Sequence, residues 1–174
     1  MLIRPRRLRY TPAIRRLVRE TELTVNDLIY PLFIMEGENQ RVAIPSMPDC
    51  YRYSLDLLLK EVVNAYNLGI NAIALFPLIA EDKKDNFGRE SYNPDGLVPR
   101  AVKAIKKEVP EIIIITDVAL DPFSIYGHDG IVEDGKILND ETLEVLVKMS
   151  LSQAAAGANF VAPSDMMDGR VGAI

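Results

Sequence analysis

The sequence predicts a parallel α/β fold, and three observations carry the prediction. Short apolar runs alternate with longer segments whose apolar residues recur at three- and four-residue spacing. One run, Ile112–Ile115, is four consecutive isoleucines, which marks a strand buried on both faces, as in parallel sheets. Glycine, proline and Asp-Gly pairs punctuate the segments. Two architectures satisfy the pattern: an open doubly wound sheet, or a (β/α)8 barrel of which four units make half. No G-x-G-x-x-G loop follows any run, which weighs against the dinucleotide-binding version.

Taken in order, residues 1–25 form a basic arm, with a short helix from Thr11 in which Pro12 sits in the tolerant first turn. Residues 26–174 make a partial barrel of about four β/α units. Leu28–Met35 is the first strand. Leu55–Asn67 has helical spacing, Ser54 is its N-cap and Gly69 ends it. Ile70–Phe76 is the second strand, closed by Pro77. Leu97–Val109 is a helix with Val98, Ala101, Val102 and Ile105 on one face, stopped by Pro110. Ile112–Val118 is the third strand. Ile131–Leu138 reads as a hairpin around Asp134-Gly135. Asn139 or Asp140 caps a helix through Ala156, ended by Gly157. Asn159–Ala162 begins the fourth strand, with Pro163 behind it.

Composition narrows the class. Hydrophobic residues make up 48% and charged residues 26% of 174, which suits one globular domain. No apolar run approaches the roughly 18 residues a membrane span needs. The N-terminus lacks a signal-peptide apolar region, and Cys50, on an expected surface loop, is the only cysteine. These features point to the cytoplasm, or to an organelle such as the plastid stroma after removal of a transit peptide. The net charge of −5 is divided: the first 20 residues hold seven arginines and one acid, so the remainder carries −11. Tyr10 is the only aromatic among those arginines, which disfavours nucleic acid and favours an acidic neighbouring copy as the arm's partner.

In either parallel architecture the site lies at the C-terminal ends of the strands. After the third strand come Thr116, Asp117, Asp121, His128 and Asp129; after the fourth come Ser164, Asp165 and Asp168. Carboxylates there can act as bases or hold a hard cation, or can simply cap the next element and make turns. His128 is the only histidine, a residue more often scaffold than ligand.

The stretches RPRRLR (Arg4–Arg9), DLIYPLF (Asp27–Phe33), Leu75-Phe76-Pro77, YNPDGL (Tyr92–Leu97), ITDVALDP (Ile115–Pro122), GHDG (Gly127–Gly130), ILNDET (Ile137–Thr142) and VAPSDMMDGR (Val161–Arg170) resemble porphobilinogen synthase, also called 5-aminolevulinate dehydratase. The resemblance runs in order along essentially the whole chain. It implies the N-terminal half of a (β/α)8 barrel with an extended arm that wraps a neighbour in a homo-octamer. It implies condensation of two 5-aminolevulinate molecules to porphobilinogen with loss of water, a step of tetrapyrrole biosynthesis. It places Asp117 on the active-site floor as a proton acceptor or relay, with Ser164 and Asp165 lining that floor against the substrate. Zinc-dependent relatives carry three cysteines where this chain has Ala119, Asp121 and Asp129. Asp121 and Asp129 are hard ligands, so the resemblance is to the zinc-independent type, with magnesium possible and no tight zinc expected. Phe123-Ser124-Ile125-Tyr126 departs from the family's usual Tyr-Thr-Ser-His run.

The Schiff-base lysines of the family and the arginines that grip substrate carboxylates are expected beyond Ile174, so this polypeptide alone would be inactive. Two alternatives remain at this level: a non-catalytic half-barrel scaffold or binding module, and a different aldolase-like half that borrows a partner's lysine. With four strands, the first and fourth are both expected to be sheet edges.

Overall fold

A computed structural model describes Ile3 and residues 5–174; Met1, Leu2 and Arg4 of the basic arm lie outside the described residues. The arm begins with a single 3₁₀ turn at Arg7–Arg9 and helix α1 (Pro12–Leu17). Thr11 caps α1, its hydroxyl accepting from the Ile14 amide at 3.2 Å. Every described residue up to Leu28 is exposed except Thr11 and Ile14, which are half-buried.

Strand β1 (Ile29–Met35) opens the sheet, followed by two short strands, β2 (Arg41–Ala43) and β3 (Tyr51–Tyr53). Helix α2 (Leu55–Asn67) leads to β4 (Ala72–Leu78), α3 (Leu97–Glu108) to β5 (Ile113–Asp117). The hairpin β6 (Ile131–Glu133) and β7 (Lys136–Leu138) turns through Asp134 and Gly135, both at positive φ as such two-residue turns require. Helix α4 (Asn139–Ala156), strand β8 (Phe160–Ala162) and the short α5 (Arg170–Ala173) complete the chain. Gly157 ends α4 at φ +109°.

The main sheet has six strands in the order β2-β3-β1-β4-β5-β8, parallel except for β2. It is open, with no closed barrel among the described residues. Helices cover one face. Leu32, Ile34, Ile73, Leu75 and Ile114 point to that face and share one core with Leu58 and Val62 of α2, Val102 and Ile105 of α3, and Leu146 and Met149 of α4. The ladder registers Phe33↔Phe76, Ala74↔Ile115 and Ile115↔Phe160 put the alternate residues on the opposite face. That face has no helix over it: Ile29, Leu78 and Phe160 are exposed and Phe33, Phe76 and Ile115 only half-buried.

Several expectations need correction. The first strand is not a free edge, because β3 pairs with its C-terminal end at Phe33 and Ile34. The isoleucine run is buried on the helix face alone; Ile113 and Ile115 are half-covered. Pro77 does not close the second strand. Beyond Leu75, β4 has only β1 as a neighbour, so a missing donor costs no ladder bond on its other side. Ser54 stands at the N-cap of α2 but its hydroxyl does not cap the helix; it bonds Gln40 and the Asp56 carboxylate instead. Leu138, not Asn139 or Asp140, is the cap position of α4, and the Asn139 side chain instead pairs with the Asp168 backbone at 2.8 and 3.2 Å.

Candidate functional site

The C-terminal ends of β1, β4, β5 and β8 lie side by side at one end of the sheet, and Asp117 ends β5 there, paired with Ala162 of β8. β5 delivers Asp117 because the buried Thr116 before it faces the helices, so Asp117 faces the uncovered side. Its backbone is clamped. Gln153 of α4, fully buried, accepts the Thr116 hydroxyl at 2.7 Å and donates from Nε2 to the Asp117 carbonyl at 3.0 Å. The next amide, Val118, donates to the Ala162 carbonyl at 3.0 Å. Such a satisfied buried network fixes where the carboxyl can point.

The Asp117 carboxyl accepts the Ser164 hydroxyl at 2.5 Å, a side-chain link between the ends of β5 and β8. Burial pushes its pKa up; the Ser164 bond opposes this, while Asp129 and Asp165 add to the rise by like-charge repulsion. Asp121, at the rim, is pushed up by partial burial, then by Asp129 and Asp117. Asp117 and Asp121 line a cleft of about 220 Å³ together with Phe33, Phe76, Leu78 and Arg52. The rings of Phe33 and Phe76 lie 5.6 Å apart on its floor.

The remaining sequence candidates divide. Ser164 is exposed and reaches the site through Asp117. Asp165 is buried in its own turn: one oxygen accepts the Met167 amide at 2.7 Å, and the other lies 3.3 Å from Arg170 Nε without hydrogen-bond alignment. It contributes charge to Asp117 rather than a surface to the cleft. Asp129 is half-buried and acts on both Asp117 and Asp121 through charge. His128 Nδ1 accepts the Gly130 amide at 3.1 Å, which makes it a turn scaffold. Ser124 is buried and accepts the Tyr126 amide at 3.2 Å, a local turn role for the segment that departs from the family run. Cys50 is half-buried at the end of a tight turn, its amide on the Met47 carbonyl.

Among the described residues no three acidic, histidine or cysteine side chains gather as a metal cage. The Asp121 carboxyl, pushed up in part by the charge of Asp129, stands with it as a pair that fits a water-rich magnesium ion, which takes only one or two protein ligands. They do not make the closed soft-ligand set that zinc selects.

Two contributors escape sequence reading. Gln153 left one signal, a polar residue in register with the apolar stripe of α4 at Leu146 and Met149. Arg52 left none, since the three residues of β3 are too few for alternation to be recognised.

The family model for delta-aminolevulinic acid dehydratase matches residues 2–174. The delta-aminolevulinic acid dehydratase of Bradyrhizobium diazoefficiens is 54% identical over 174 residues, covering 100% of this chain and 49% of that protein. The chloroplastic delta-aminolevulinic acid dehydratase 1 of Arabidopsis thaliana is 53% identical over 173 residues, covering 98% of this chain and 40% of that protein. A crystal structure of delta-aminolevulinic acid dehydratase (porphobilinogen synthase) from Toxoplasma gondii, in complex with its reaction product porphobilinogen, superposes with a TM-score of 0.96 at 50% identity, covering 100% of this chain and 50% of that one. The chain therefore spans about half the length of the curated relatives it matches.

Proposed function

Because the chain belongs to the delta-aminolevulinic acid dehydratase family, we propose that it supplies one wall of an active site that condenses two 5-aminolevulinate molecules to porphobilinogen with loss of water. The observation that carries this reading is the Asp117–Ser164 pair at the strand ends, in a chain that superposes on half of a product-bound enzyme.

Asp117 moves the proton in this scheme. Burial favours its neutral form, and the Ser164 hydroxyl stabilises its carboxylate, so the Asp117 carboxyl can both release and take up a proton near its own oxygens. Ser164 holds it in place, and Gln153 holds its backbone. Asp121 and Asp129 are the residues that would hold magnesium, whose charge would offset their mutual repulsion. Zinc has no part in this reading.

The nucleophilic amine comes from elsewhere. The eight lysines lie on α2, α3, α4 and β7 and in the loop after β4, none on the uncovered face. Lys83 is paired with Glu36 at 3.1 Å, and Lys106 donates to the Ile112 carbonyl at 2.6 Å, so neither is a desolvated free amine of the kind that forms Schiff bases. The alternative reading is a non-catalytic half-barrel scaffold. Residues 1–25 pack on a second copy in a homo-oligomer, and the working compartment is the cytoplasm or a plastid stroma. No helix among the described residues is long and apolar enough to cross a membrane.

The test mixes this chain with a polypeptide carrying the other half of the Bradyrhizobium relative and assays porphobilinogen. Product that requires both chains and is lost with Asp117→Ala supports the catalytic reading. A stable complex without product supports the scaffold.

A further inference from the structure

We propose that Arg52 is a substrate-binding residue whose guanidinium receives the ligand's carboxylate; the proposal deepens the reading that the cleft takes 5-aminolevulinate. Register places Arg52 there. β3 pairs with β1 at Arg52↔Phe33, so the two side chains leave the sheet on the same, uncovered face. Tyr51 and Tyr53 leave on the other, and Arg41 stacks over Tyr51 at 3.6 Å from its ring centre, so the neighbouring cation is already engaged. Arg52 is not: among the described residues its guanidinium has no ion pair within 4.0 Å.

Asp117 and Asp121 line the same cleft, and neither carboxyl lies within ion-pair distance of Arg52. Cation and carboxyls therefore face one space without closing it, with Phe33 and Phe76 as an apolar floor between them. That is the complement of a short aliphatic chain with a carboxylate at one end and an amine at the other. The planar guanidinium offers two parallel donors to a carboxylate, which a lysine does not.

The experiment titrates the 174-residue chain with levulinate, which has the carboxylate but no amine, and with neutral levulinamide, following the Arg52 Nε–H resonance. Levulinate is expected to shift that resonance and levulinamide to leave it unmoved. Arg52→Met, which keeps the apolar stem, should bind levulinate about tenfold more weakly or worse, with Arg52→Lys between. Equal effects of the acid and the amide, undiminished levulinate binding by Arg52→Met, or no binding by the parent chain would each overturn the proposal. The acid–amide comparison needs no variant, so a misfolded substitution does not spoil it. Levulinate binding that 5-aminolevulinate fails to displace would leave the anion site standing and remove the substrate reading instead.

Discussion

At the scale of single residues, the carboxyls of this site set their own pH dependence. Asp117 and Asp121 hold their protons more tightly folded than unfolded, so they favour the folded state at acid pH and lose that contribution as pH rises through their raised values. Asp117→Asn keeps an acceptor for Ser164 and removes the charge. It is expected to melt at or above the parent's temperature at neutral pH, with the advantage vanishing below the ordinary carboxylate range. A variant less stable than the parent at pH 7 and equally so at pH 4 would contradict the burial argument. Glu36 works in the opposite sense: the Arg100 hydrogen bond, helped by Lys83, holds its carboxyl low, so its support is present above the usual carboxylate range and fades as pH falls. Metal selectivity also belongs at this scale. Elemental analysis after dialysis should find no stoichiometric zinc, because Ala119, Asp121 and Asp129 offer no thiolate.

At the scale of elements, α4 is the one that aims the site. Gln153→Leu would leave the Asp117 carbonyl without its side-chain partner and the Thr116 hydroxyl with only a long 3.4 Å bond to the Phe160 carbonyl. That should cost about 1–3 kcal/mol in denaturant unfolding. Ile114→Ala on the same strand removes buried methyls only and should cost roughly 2–5 kcal/mol without moving Asp117. The two variants separate aiming from packing. These elements also mark how far sequence reading reaches. α2 was legible to the residue because Leu58, Val62 and Ala65 repeat over several turns before a clear stop. The hairpin was legible from Asp134-Gly135. β2 and β3 were not, being three residues each, and their loss hid both Arg52 and the protection of β1. The gathering of Asp117, Asp121 and Ser164 at one end of the sheet was legible because parallel strands deliver their C-terminal ends to the same side. The inward turn of Asp165 was not, because it depends on a local bond to Met167 that composition does not announce.

At the scale of the whole molecule, the uncovered face governs behaviour. Ile29, Leu78 and Phe160 stay wet, and each Å² of apolar surface so exposed forgoes about 25 cal/mol. β8 adds an edge with open backbone groups. The isolated chain should therefore self-associate or melt broadly; a monodisperse monomer with a sharp calorimetric transition would refute this. The arm adds its own expectation. Removing residues 1–25 should shrink any oligomer seen by light scattering, and the intact chain should not shift DNA or RNA at physiological salt.

The order of the central strands has a further consequence. β1, β4, β5 and β8 lie side by side in the order in which they are synthesised, each joined to the next by one covering helix, and β3 closes over β1 before α2 begins. A nascent chain leaving the ribosome can therefore add one strand and one helix at a time, never waiting for a distant segment to complete a pairing already begun. The helix-covered core would mature during translation, while the bare face stays sticky throughout and offers itself to a holding chaperone until something covers it.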